Sequence, residues 1–249
     1  MAIDLNEITT DLTLELDEDV ISVEDFGKAV ESFFGLVREV SKHASPSRDP
    51  NSWLVKVYPG SAAIGVLNRP GSFVPDEVDR IRRLVIDGLK QLEKGNRPTQ
   101  FTDKAIQYSR TLGMLFKGKK APANVLLWSR NELVIPINRV ISAKASELLE
   151  PAYEDEGSVE GFLEKLNAHG QFEFVIYDTL DARPIRCEVE ESKLKEAWGA
   201  FRKRVEVLGT VRYRKDGLPV SVKARELIVY PSRDEIPSVA EIRSLLSET

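Results

Sequence analysis

The chain opens its ordered pattern with Leu12-Thr13-Leu14-Glu15-Leu16, an alternation of apolar and polar side chains that predicts a half-buried strand. Ser22 then stands where a helix N-cap belongs, with Asp25 three residues on as a weaker form of the capping box. From there Val23, Phe26, Val30, Phe33, Phe34, Val37 and Val40 recur at helical spacing, so an amphipathic helix runs to about Lys42. Two β runs, Trp53 to Tyr58 and Ala62 to Leu67, flank Pro59-Gly60-Ser61 and predict a hairpin. Pro75 suits the first turn of a second helix with the stripe Val78, Ile81, Val85, Leu89 and Leu92, and Gly95 is a fitting stop. A third helix begins at Thr102 and dissolves at Lys117 to Pro122. The expected module over residues 1–120 is β-α-β-β-α-α, a small antiparallel sheet with helices on one face.

Val125 to Trp128 and Leu133 to Ile137 read as another hairpin, within a segment (121–156) whose domain stays open. Glu150-Pro151-Ala152-Tyr153-Glu154-Asp155-Glu156-Gly157 reads as an acidic linker. Beyond it the elements follow in order. Strands are expected over Val159–Leu166, Phe172–Tyr177 and Pro184–Val189, then a helix over Glu191–Phe201, then strands over Val205–Tyr213 and Val220–Val229. Gly161 and Gly209 fall inside strands, as a sharply coiled small barrel requires. Residues 231–249 carry a short last helix through Val239, Ile242, Leu245 and Leu246.

Three strands, a helix and two strands is an element order that resembles the OB fold, over residues 157–230. The fold class expected for the chain is α+β, a two-layer domain followed by a five-stranded OB-like barrel. The resemblance rests on order and not on a signature motif. It implies a binding face for oligonucleotides, oligosaccharides or proteins, without choosing among them. On such a fold Trp198 and Phe201 are expected to close one end of the barrel.

At 249 residues the chain exceeds the usual single-domain size, which agrees with two domains. No apolar run approaches the ~20 residues of a membrane helix. The opening Met1-Ala2-Ile3-Asp4 lacks the basic-then-apolar order of a secretory signal, and the single cysteine, Cys187, permits no internal disulfide. A cytoplasmic location is the expectation. The formal net charge of −5 is unevenly spread. Residues 1–31 hold ten acids against Lys28 alone, whereas residues 193–225 hold ten bases against Glu196, Glu206 and Asp216. Residues 80–130 are basic too. Solvated helix faces explain this, and so does a polyanion-binding surface shielded by an acidic arm.

Candidate chemistry is thin. Gly113 to Lys120 nearly matches a phosphate-binding loop, but a helix precedes it, Pro122 follows, and Lys120 stands where a hydroxyl residue belongs. Asp178 with Glu191 and Lys193 has the residue types of a magnesium site, yet the elements separate them. His43, His169 and Cys187 show no zinc spacing, and Cys187 fits a core strand position. No catalytic group, cofactor or metal is expected.

The last hairpin holds the strongest signal. Val205, Val207, Val211 and Tyr213 share one strand face, Arg212 and Arg214 the other, and Lys215, Lys223 and Arg225 follow across the turn. With His169 in the first strand connection, these are the candidate nucleic-acid contacts, since single-strand binders join a basic groove to stacking rings. Two functions are therefore expected. One is a non-enzymatic adaptor binding single-stranded or structured nucleic acid. The alternative is a protein-interaction or antitoxin-like regulatory subunit, favoured by the acidic arm and the last helix.

Overall fold

A computed structural model describes residues 8–17, 20–58, 62–115, 124–130, 132–167, 172–180 and 182–231. The chain divides into two compact units, Met1–Leu149 and Glu150–Thr249.

In the first unit β1 (Leu12–Asp17) precedes α1 (Val23–Ala44), whose N-cap Ser22 accepts the amide of Asp25 at 3.0 Å. The hairpin β2 (Trp53–Tyr58) and β3 (Ala63–Asn68) leads to α2 (Pro75–Glu93) and α3 (Asp103–Gly113). A second hairpin, β4 (Asn124–Ser129) and β5 (Glu132–Ile137), runs into α4 (Arg139–Leu149). The sheet order is β2-β3-β1-β4-β5, antiparallel throughout. Leu127 of β4 lies opposite Leu14, so the hairpin of open assignment belongs to the first sheet. Alternate residues of the strands, Leu12, Leu14, Ile64, Val66, Leu127 and Ile135 among them, share one core with Phe33, Leu36, Ile81, Leu89, Ile106 and Ile141 of the four helices. Each such side chain contributes about 1.5–3 kcal/mol by leaving water.

Helix α4 was outside the sequence expectation, and its start signal is local. The Asn138 carboxamide oxygen accepts the amides of Val140 (2.9 Å) and Ile141 (3.3 Å), an N-cap that leads the buried stripe Ile141 and Ala145.

In the second unit β6 (Tyr153–Asn167), β7 (Glu173–Asp178) and β8 (Pro184–Glu188) are followed by a 3₁₀ turn (Glu191–Lys193) and α5 (Leu194–Gly199). Then come β9 (Arg204–Tyr213) and β10 (Pro219–Val229). The strands form a closed ring of order β10-β8-β7-β6-β9 in which β8 and β10 run parallel and all other neighbours antiparallel. Inside lie Leu163, Phe174, Ile176, Ile185, Cys187, Val205, Val207, Val211 and Val222.

The expected acidic linker needs correction. Tyr153 to Gly157 are the first residues of β6 and pair with Tyr213 to Gly209. Glu154 and Glu156 lie on the outer side of the strand, where partners from β9 and β10 meet them. The expected Glu191–Phe201 helix is also shorter and begins as a 3₁₀ turn. The Lys117–Pro122 loop, the Pro59–Ser61 turn, His169 and the last helix lie outside the described residues.

Closure brings backbones together at glycine. A Cβ on Gly161 would stand 2.4 Å from the Tyr177 carbonyl oxygen, a backbone atom with no freedom to withdraw. Gly161→Ala is therefore expected to lower stability by about 1–3 kcal/mol. Gly27→Ala, in α1 with nothing within 4 Å of the added carbon, should raise it by about 0.5–1 kcal/mol. Urea unfolding of the two variants beside the wild type checks both signs.

Candidate functional site

The outer surface of the ring carries two features, a ladder of charge and an aromatic cleft. The ladder begins on β6, where period-two alternation puts Glu154, Glu156 and Glu160 on one face. Arg212 of β9 donates from Nε to Glu154 at 2.8 Å. Arg225 of β10 donates from Nη1 to Glu156 at 3.0 Å, and Thr210 donates to the other oxygen of that carboxylate at 2.9 Å. Arg204 pairs with Glu160, and Tyr230 donates to Glu206 at 2.8 Å. The hydrogen bond to Glu154, then its charge, pushes the Arg212 guanidinium further up. Hydrogen bonds from Ser158 and Tyr230 hold the Glu206 carboxyl below the usual carboxylate range.

This arrangement changes the meaning of the expected basic hairpin. Arg212 and Arg225 are on the surface as expected, but each is matched by an acid of the segment read as a linker. Arg214, expected in solvent, is buried at 8% exposure just after β9, where its backbone closes the turn with Leu218 and Gly217. Lys215 is exposed in that turn, and Lys223 is exposed on β10 in register with Glu188 of β8. The hairpin does not gather these residues into one uncompensated patch.

The cleft lies where α5 meets the ends of β6 and β7. Ala197 and Ala200 are the residues that seal the ring, both buried. Trp198 and Phe201, expected to do so, are 72% and 45% exposed. The reason is volume. A six-residue helix over a small ring has room for methyl groups on its inner side, and the large rings are turned out. Backbone bonds then fix the segment after α5 against β6: Leu163 donates to the Lys203 carbonyl at 3.0 Å, and Arg202 donates to the Leu163 carbonyl at 2.7 Å. A register shift between Leu163 and Lys165 bends β6 there.

The resulting cleft has a volume of about 500 Å³. Trp198 and Phe201 line it together with the apolar Leu166 and Val175 and the carboxylates of Glu164 and Glu173. Asn167 donates from Nδ2 to Glu173 at 3.3 Å. Lys165 also lines it, with its ammonium 5.8 Å from the centroid of the Tyr177 ring. Phe162, 44% exposed, stands opposite Tyr177 in register. The sequence signal for this site was the pair Trp198 and Phe201 beside Ala197 and Ala200; the shortness of the helix shows only in the structure, where α5 ends at Gly199.

The remaining candidates fall to structural roles. Asp178 accepts the Leu180 amide at 2.8 Å and shapes the β7–β8 turn. Cys187 is fully buried, and loss of solvation pushes its thiol far up. His43 is exposed in the last turn of α1. Among the described residues no group of three or more His, Cys, Asp or Glu is placed to hold a metal ion, and no helix is long and apolar enough to cross a membrane. Compared with known protein families, the chain matches none, and no curated protein matches it.

Exposure decides the cost of truncation. Trp198→Ala should shift stability by less than about 1 kcal/mol, whereas Phe174→Ala, 1% exposed inside the ring, should cost about 3–5 kcal/mol. Chemical denaturation of both variants reads the difference directly. Cys187 should react with a thiol reagent only as fast as the ring opens, so labelling in native buffer and in denaturant should differ by orders of magnitude.

Proposed function

We propose that the second unit is an OB-type barrel serving a non-enzymatic interaction protein, and that its aromatic cleft takes a segment of a protein partner. The ring order, the parallel β8–β10 pair and the helix between the third and fourth strands support the OB-type reading. The observation that carries the function is the exposure of Trp198 and Phe201 over a cleft of about 500 Å³. Tryptophan and other large rings surrounded by a polar rim are what protein interfaces use as anchors. Solvating such rings without a partner wastes apolar area that the ring interior is too small to accept.

Nucleic-acid binding draws less support. A single-strand groove needs cations free to neutralise phosphate, and Arg212 and Arg225 already face carboxylates. The cleft itself carries both signs of charge.

A photo-crosslinking residue, p-benzoylphenylalanine, placed at Trp198 in the source cell should yield one discrete protein adduct. The same residue at Leu180, which is 94% exposed but away from the cleft lining, should not. A nuclease-sensitive adduct at Trp198, or equal adducts at both positions, would overturn the proposal.

A further inference from the structure

The cleft has an electrostatic signature beyond its aromatic walls. Glu164 and Glu173 have no ion-pair partner among the described residues. Glu173 also stands directly opposite Glu188 on β8, a like-charge pair that costs stability in an antiparallel sheet. Lys223 is in register with Glu188 from the far side, leaving Glu173 at the cleft. The Lys165 ammonium sits near the Tyr177 ring. Two carboxylates outside any ion pair, against the single ammonium of Lys165, thus line a cleft that also holds an indole, the ring that holds a cation best over its face.

We infer that the cleft recognises a cationic side chain, arginine foremost, presented by a basic segment of the protein partner. This rests on the protein-binding reading above and adds the chemistry of the ligand. The choice between an apolar and a cationic guest follows from desolvation. An apolar side chain would remove water from Glu164 and Glu173 and supply no ion pair in return, a cost that the one hydrogen bond from Asn167 to Glu173 does not cover. A guanidinium stacks its plane on Trp198 while its N–H fork meets a carboxylate, and it gives up hydration more easily than an ammonium does. The net charge of −5 on the chain favours encounter with a basic partner.

The test uses the full chain and two small probes, N-acetyl-arginine methylamide and N-acetyl-norleucine methylamide, which differ in charge at similar reach. The readout is the ¹H–¹⁵N shift of the Trp198 indole, assigned with Trp198→Phe, beside Trp53 and Trp128 as internal controls. The arginine probe should shift Trp198 alone, saturably, and the norleucine probe should bind about tenfold more weakly or worse. Glu164→Gln with Glu173→Gln should erase that preference, while Lys165→Gln, which removes the competing cation, should tighten the arginine probe. Equal or tighter binding of norleucine, unchanged by the two glutamine substitutions, would overturn the inference and leave the protein-binding reading standing. A shift with neither probe would also overturn it. A failed reading of the cleft as a protein site shows separately, as a missing protein adduct at position 198.

Discussion

Closure of the ring on β6 is the constraint from which the second unit follows. This strand pairs with β9 along Tyr153–Phe162 and with β7 along Gly161–Asn167, so one strand serves two neighbours. The two pairings overlap at Gly161 and Phe162, and at Gly161 an added Cβ would stand 2.4 Å from the Tyr177 carbonyl oxygen. Gly157 lies opposite Gly209, and there a Cβ on Gly209 would stand 2.1 Å from the Lys223 carbonyl. Backbone lies on backbone at these points, and only glycine leaves the needed space.

A ring closed this tightly has little interior. Phe174, the isoleucines and the valines fill it, and the helix across its end contributes Ala197 and Ala200. Interiors pack at crystal-like density, so a tryptophan at the seal would force the strands apart. The rings of Trp198 and Phe201 face outward because the closure that stabilises the unit excludes them. The cleft is thus coupled to the core through volume, and its aromatic wall is held in place by the backbone bonds of Leu163 to the segment after α5.

What was legible in the chain was what local pattern carries. Alternation in β9, the Ser22 cap, the stripes of α1 and α2 and the mid-strand glycines all reappear in their expected places; β1 forms where expected but is buried on both faces and not half-buried, since Thr13 and Glu15 are covered as well. The misread features share a nonlocal cause. Glu154 and Glu156 look like linker because their counter-ions, Arg212 and Arg225, lie about sixty residues away, at separations of 58 and 69. Trp198 looks like core because an apolar stripe says which residues could be buried and not how much room the far side offers. Arg214 looks solvated because alternation is extended past the end of β9, where the backbone leaves the strand. Helix α4 had a readable start in Asn138, hidden by a β run that ends one residue earlier.

The charge ladder bears most directly on the choice between partners. Each of its ion pairs is weak by itself, since Arg212 and Glu154 are about half exposed and water screens them. Its effect on a polyanion does not depend on pair strength. The affinity of cationic surfaces for nucleic acid comes mainly from releasing the counterions condensed on phosphate. An arginine already beside Glu154 or Glu156 offers a phosphate a neutral pair in place of a free cation. Binding would then leave the carboxylate facing an approaching anion, which cancels much of what release supplies. The ten bases of residues 193–225 therefore overstate the field outside the ring, because β6 brings its own acids to the same face. The cleft differs in kind: two carboxylates outside any ion pair among the described residues outnumber the one ammonium of Lys165 beside an exposed indole, which is why the proposed partner site is placed there and not on the ladder.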